Sequence, residues 1–214
     1  MTGGRAAPES TGRGAVPAPH HAVRRAVRAV ALANLGYFGV EFAVALAIGS
    51  VALFADSVDF LEDAAVNLLI LVALGWTARR RAAVGMGLAG VLLVPGLVTL
   101  WALWQKVHHP ATPDPVRLTA TGVGALAVNL GCALLLARVR AHAGSLTRAA
   151  FLSARNDALA NVAIIGAGLV TAATRSAWPD IVVGLGIAAL NADAAREVYA
   201  AARAERRTAV AAAP

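Results

Sequence analysis

Apolar residues dominate six windows of the chain, at 29–48, 51–76, 82–104, 118–137, 149–173 and 178–195. Each is long enough for an α-helix to cross a hydrocarbon layer. A helical bundle in water would need polar faces on its outer helices, and the third, fourth and sixth windows have almost none. The pattern predicts an all-α polytopic membrane protein with six transmembrane helices. Three residues, Ile48, Gly49 and Ser50, separate the first two windows, so those helices should be antiparallel neighbours. Pro179 sits where the sixth helix can begin. Gly122, Gly124 and Gly131, then Gly166, Gly168, Gly184 and Gly186, offer close helix packing in the last three spans.

The second window breaks the apolar pattern. In GSVALFADSVDFLEDAAVN it carries Asp56, Asp59, Glu62 and Asp63. At helical periodicity Asp56, Asp59, Asp63 and Asn67 share one face, with Glu62 at its side. Each ionised Asp at a bilayer centre costs about 2.5 to 3.5 kcal/mol, which excludes lipid exposure for such a stripe. It must face protein or a wet cavity, trading protons or holding a cation. The first window adds Asn34 and Glu41, seven residues apart on nearly one face. Glu41 reads either as a proton or ion waypoint or as structural glue to Asn67 or Arg155.

The fifth window supplies a complement. Ser153, Asp157 and Asn161 follow one another at four-residue intervals in FLSARNDALANVA, with Asp157 the one carboxylate of that span. Asn156 and Asn161 flank it with amide oxygens, which coordinate cations without carrying charge. Arg155 points away from Asp157 and is expected to reach the interface or another helix. An Asp59-x-x-x-Asp63 pair on one helix and a Ser153-x-x-x-Asp157 set on another can converge into a divalent-cation site. Without metal such carboxylates cannot all stay ionised, so the site takes up protons and a bound ion expels them. A cavity opening alternately to two sides would thereby couple metal to proton movement.

Composition supports the membrane assignment. Of 214 residues 58% are hydrophobic and 14% charged, and the mean hydropathy is +0.66. Cys132 is the single cysteine, which rules out an internal disulfide framework. A net charge of +7 could suggest nucleic acid, but the basic residues sort by loop. Fifteen of nineteen precede the first helix or lie after the second, fourth and sixth; Lys106, Arg117 and Arg175 lie in the opposite loops, and Arg155 is inside the fifth helix. This division places both termini in the cytoplasm and leaves no nucleic-acid partner. The expected location is the plasma membrane of a bacterium.

Residues 1–23 read as a disordered cytoplasmic tail without the apolar core of a signal peptide, 24–200 as the transmembrane domain and 201–214 as a short cytoplasmic tail. Arg24 and Arg25 orient the first span, and the adjacent His20 and His21 read as incidental. The connector KVHHPATPDPVR holds His108, His109 and Asp114. It fits either a weak metal site or a proline-stiffened link.

The run IGSVALFADSVDFLEDA resembles the cation diffusion facilitator transporters, and the resemblance extends over roughly residues 24–200. It implies that Asp59 and Asp63 occupy the family's metal-binding H/D-x-x-x-D positions, and that Asp157 is the aspartate of the helix-five H-x-x-x-D pair. At that pair's histidine position the chain has Ser153. An all-oxygen set favours harder ions such as manganese, or ferrous iron and cobalt, over zinc. The resemblance implies a secondary transporter, not an enzyme, that exports a divalent cation of the zinc, manganese, iron and cobalt class in exchange for protons. The expected ligands are Asp59, Asp63 and Asp157, with Ser153 and Asn161 as secondary candidates and Asp56, Glu62 and Glu41 as access or proton-relay groups. No permanently bound cofactor is expected. The family often adds a cytoplasmic metal-sensing and dimerising domain after helix six; none is expected here, so the contacts of any homodimer are expected to lie in the membrane. Two other readings accommodate buried carboxylates: a proton-coupled organic-cation exporter, which would need an aromatic cavity, and a non-transporting subunit or sensor that retains the fold.

Overall fold

The computed structural model describes residues 19–73, 78–139 and 145–192, all of whose regular structure is helical. The helices are α1 (Pro19–Ile48), α2 (Val51–Ala73), α3 (Ala78–His108), α4 (Pro115–Val139), α5 (Ser145–Thr174) and α6 (Trp178–Ala192). Many long apolar side chains of the described residues point outward, among them Leu32, Leu46, Leu97, Trp101, Leu134, Leu159, Leu169 and Leu190. The side chains of Asn34, Glu41, Asp56, Asn67, Asn129 and Asn161 are buried instead. An apolar exterior over a polar interior suits hydrocarbon as solvent, where backbone polar groups must be satisfied within each helix. The chain is an all-α polytopic membrane protein, with six helices among its described residues. Three of them carry spans, His21–Ile48, Pro115–Val139 and Ser153–Thr174, that meet length and hydropathy requirements without help from neighbours. The carboxylates of α2 set it apart from those three, and α6 is shorter over its described residues.

Helix α1 begins at Pro19, inside the stretch expected to be a tail. Proline suits a first helical position, since its missing N–H has no partner there in any case. The following turns are held by packing: Val27 and Val30 join Ile70, Cys132, Ala133, Leu136 and Ala154 in one core cluster. Arg24, Arg25 and Arg28 therefore stand on a helix. The remainder of the expected tails, residues 1–18 and the stretch after 192, lies outside the described residues.

The short turn behaves as expected. Gly49 takes a positive φ of 63° and the Ser50 amide returns to the Ala45 carbonyl at 3.0 Å, ending α1 and reversing the chain so that α2 packs along it. Helices α1, α2, α4 and α5 form the centre: α1 packs along α2 and α4 along α5, with α1 also against α4 and α2 against α5. Helix α6 packs its Ile181 and Ala188 on Val51 and Leu103. The approach is close because Gly184 leaves room: a Cβ there would lie 3.0 Å from backbone atoms of Val51 and Ala52. Gly122, Gly124 and Gly168 also sit at tight contacts, whereas Gly131, Gly166 and Gly186 face open space and serve no helix contact. Pro95 lies within α3, and the Thr99 hydroxyl donates to its carbonyl at 3.0 Å.

The connector before α4 is structural. Asp114 caps that helix, its Oδ1 accepting from the Val116 and Arg117 amides at 2.9 Å each, with Pro115 at the first position. His108 stacks on Trp104 and pairs with that residue's carbonyl at 2.8 Å. Two of the three side chains with ligand chemistry, His108 and Asp114, are thus engaged locally, which favours the stiffened link over a metal site.

Candidate metal-transport site

The acidic face of α2 is built in steps, because its carboxylates lie three or four residues apart and each meets a different helix. At Asp63 the Ser153 hydroxyl of α5 donates to Oδ1 at 2.9 Å, and the Asn34 amide of α1 approaches Oδ2 at 3.4 Å. Asp157, one turn beyond Ser153, brings its carboxyl within hydrogen-bonding reach of Asp63. The Asp63–Ser153–Asp157 grouping is therefore assembled as the spacing implied. Asp59 accepts a hydrogen bond from Asn191 of α6. These four candidate ligands and Glu62 are partly exposed. Among the described residues, no three groups of carboxylate, imidazole or thiol type converge closely enough to hold one ion. Asp63 and Asp157 are within hydrogen-bonding reach of each other, while Asp59 is hydrogen-bonded to Asn191.

A second, fully buried layer lies one turn nearer the α1–α2 reversal. Asn161 donates to Asp56 Oδ2 at 2.5 Å and accepts from Asn129 at 3.0 Å. The structure thus puts Asn161 with Asp56 rather than with Asp63, and both ends of its amide are used. The Glu41 carboxyl faces that of Asp56. Both Glu41 oxygens and Asp56 Oδ1 are buried without a hydrogen-bond donor among the described residues. Two such carboxyls are stable face to face only with a proton or cation between them. Glu41 pairs with neither Asn67 nor Arg155. Asn67 donates to the Asp63 carbonyl of its own helix at 2.8 Å, and Arg155 is exposed beside Asn156.

A third polar group closes the reversal end. Asp180 of α6 accepts from the Ser50 hydroxyl at 2.5 Å and from the Val51 and Ala52 amides at 3.0 and 3.2 Å. It thereby satisfies orphan donors at the start of α2 from another helix. Lys106 of α3 pairs with Asp180 at 3.3 Å and donates to the Gly49 carbonyl, and both charged side chains are buried. This clasp ties α2, α3 and α6 together over the carboxylates.

Sequence reasoning missed Asn191 and Asp180 and took Lys106 for a loop charge. The signal was present: apart from Trp178, Asp180 and Asn191 are the only polar side chains between 178 and 192. A polar group in so apolar a helix needs a partner.

An open apolar groove of about 600 Å³ lies between α5 and α6, lined by Val170, Trp178 and Val182 among others. It has one aromatic side chain and no carboxylate, so it lacks the features an organic-cation cavity requires.

Residues 27–203 match the family described as the cation efflux transmembrane domain. No individual curated protein matches the chain.

Proposed function

Because the chain belongs to the cation efflux family, the cation diffusion facilitators, whose members are membrane transporters that move metal ions, we propose that it exports a divalent transition metal from the cytoplasm in exchange for protons. The observation that carries this reading is the joining of Asp63 to Ser153 and Asp157 across α2 and α5. Asp59, Asp63 and Asp157 act as anionic ligands and Ser153 as a neutral oxygen; Asn161 is assigned instead to the buried layer with Asp56. An oxygen donor set without imidazole favours manganese, ferrous iron or cobalt over zinc. Entry of the ion displaces protons that the crowded carboxyls hold in its absence. We take the partly exposed ligands to open away from the reversal end, which the Lys106–Asp180 clasp closes.

The basic-residue division sets this opening toward the cytoplasm of a bacterial plasma membrane, with both termini inside. An Ala111→Cys variant, altered in the exposed connector after α3, is expected to react with an impermeant thiol reagent added outside intact cells. Protection there, with reaction only after lysis, would invert the topology. For transport itself, purified protein in liposomes is expected to accumulate manganese, cobalt or ferrous iron faster than zinc. Vesicles no faster than protein-free controls for any of these ions would leave the protein a non-transporting member of the fold.

A further inference from the structure

Three asparagines from other helices donate to the α2 carboxylates: Asn34 to Asp63, Asn161 to Asp56 and Asn191 to Asp59. Two are locked in that orientation by a second bond on the amide oxygen. The Cys132 thiol meets Asn34 Oδ1 at 3.5 Å, and the Asn129 amide meets Asn161 Oδ1 at 3.0 Å. Asn191 has no such second bond among the described residues, and its side chain is partly exposed. Its amide NH₂ lies against Asp59, where positive charge is favoured, and its oxygen accepts from no described residue. An asparagine amide is a donor at one end and a cation-coordinating acceptor at the other, and half a turn about its last torsion exchanges them.

We propose that Asn191 is a ligand of the transported ion: its amide turns when a divalent cation reaches Asp59 and supplies its carbonyl oxygen beside that carboxylate. This rests on the assignment of Asp59, Asp63 and Asp157 as ion ligands. While its NH₂ group faces Asp59, Asn191 occupies with a donor the side of that carboxylate that a cation would approach. On ion arrival the donor end is released, and the amide oxygen joins Asp59, adding a second neutral oxygen to that of Ser153. Helix α6 then shares the site with α2 and α5. Because Asp180 on the same helix anchors the clasp eleven residues earlier, ion binding and the closure of the reversal end act on one element.

The test is a calorimetric titration of manganese into the purified full-length protein, in wild type and in Asn191→Leu, Asn191→Asp and Asp63→Asn variants. The leucine variant removes both ends of the amide, and its manganese affinity is expected to fall at least about tenfold. The aspartate variant keeps an oxygen and loses the donor, so its affinity is expected to equal or exceed that of wild type. If the side chain served only to hold Asp59 by donation, aspartate would weaken binding as leucine does, and that result overturns the proposal. Wild-type affinity in the leucine variant overturns it as well. Should the leucine variant fail to fold, the aspartate variant decides alone. Asp63→Asn separates the two levels: if it too binds manganese normally, the ligand assignment fails, and if it alone loses binding, only the role of Asn191 fails.

Discussion

Asparagine in place of Asp63 is expected to abolish metal transport while leaving the protein inserted and folded. The carboxylate is the one that the structure joins both to Ser153 and to Asp157, so it stands at the centre of the proposed ligand set. Altering a group that merely supports a metal ligand costs about 10- to 100-fold in affinity, so removing an anionic ligand itself should cost more than about 100-fold. The fold should tolerate the change. An asparagine oxygen still accepts from the Ser153 hydroxyl, and one of several crowded acidic groups is gone, which relieves repulsion in a low-dielectric interior. Uptake into proteoliposomes, read beside the elution profile of the same preparation, separates lost function from lost structure. A well-folded Asp63→Asn protein that moves ions at the wild-type rate would remove this residue from the site.

Alanine in place of Asp180 is expected to be the most destabilising single change in the described bundle. It leaves Lys106 charged and buried without its partner, and it strips the Ser50 hydroxyl and the first amides of α2 of their acceptor. Breaking one side of a buried ion pair costs about 3–5 kcal/mol. Adding Lys106→Met to Asp180→Asn should recover most of that loss, because the stranded charge is gone and an amide oxygen still accepts at the head of α2. Denaturation in mixed detergent measures all three proteins. Equal stability of wild type and Asp180→Ala would show that the clasp contributes nothing to the fold.

Much of this architecture could be read from the chain. The six apolar windows gave the helices, because a stretch that must be apolar on nearly every face leaves few alternatives. The Gly49 reversal followed from the brevity of its connector. The meeting of Ser153 and Asp157 with Asp63 followed from four-residue spacing on two helices. Other features depend on rotation about helix axes and on helix order, which spacing within one helix does not fix. Asn161 shares a face with Ser153 and Asp157, yet lies one turn too far along α5 and meets Asp56. Asn191 and Asp180 belong to a helix whose orientation relative to α2 is set by the close approach at Gly184. Lys106 looked like a loop charge because it is near the end of α3, but the clasp draws it inward to a carboxylate more than seventy residues later.

The most direct test of metal–proton exchange is to follow internal pH in proteoliposomes while manganese is added outside, with no pH gradient imposed beforehand. Manganese entering through wild-type protein is expected to drive protons out, raising the internal pH in step with uptake, and Asp63→Asn vesicles should show neither signal. Metal uptake by the wild-type protein with no change in internal pH, the membrane potential being clamped, would contradict exchange for protons.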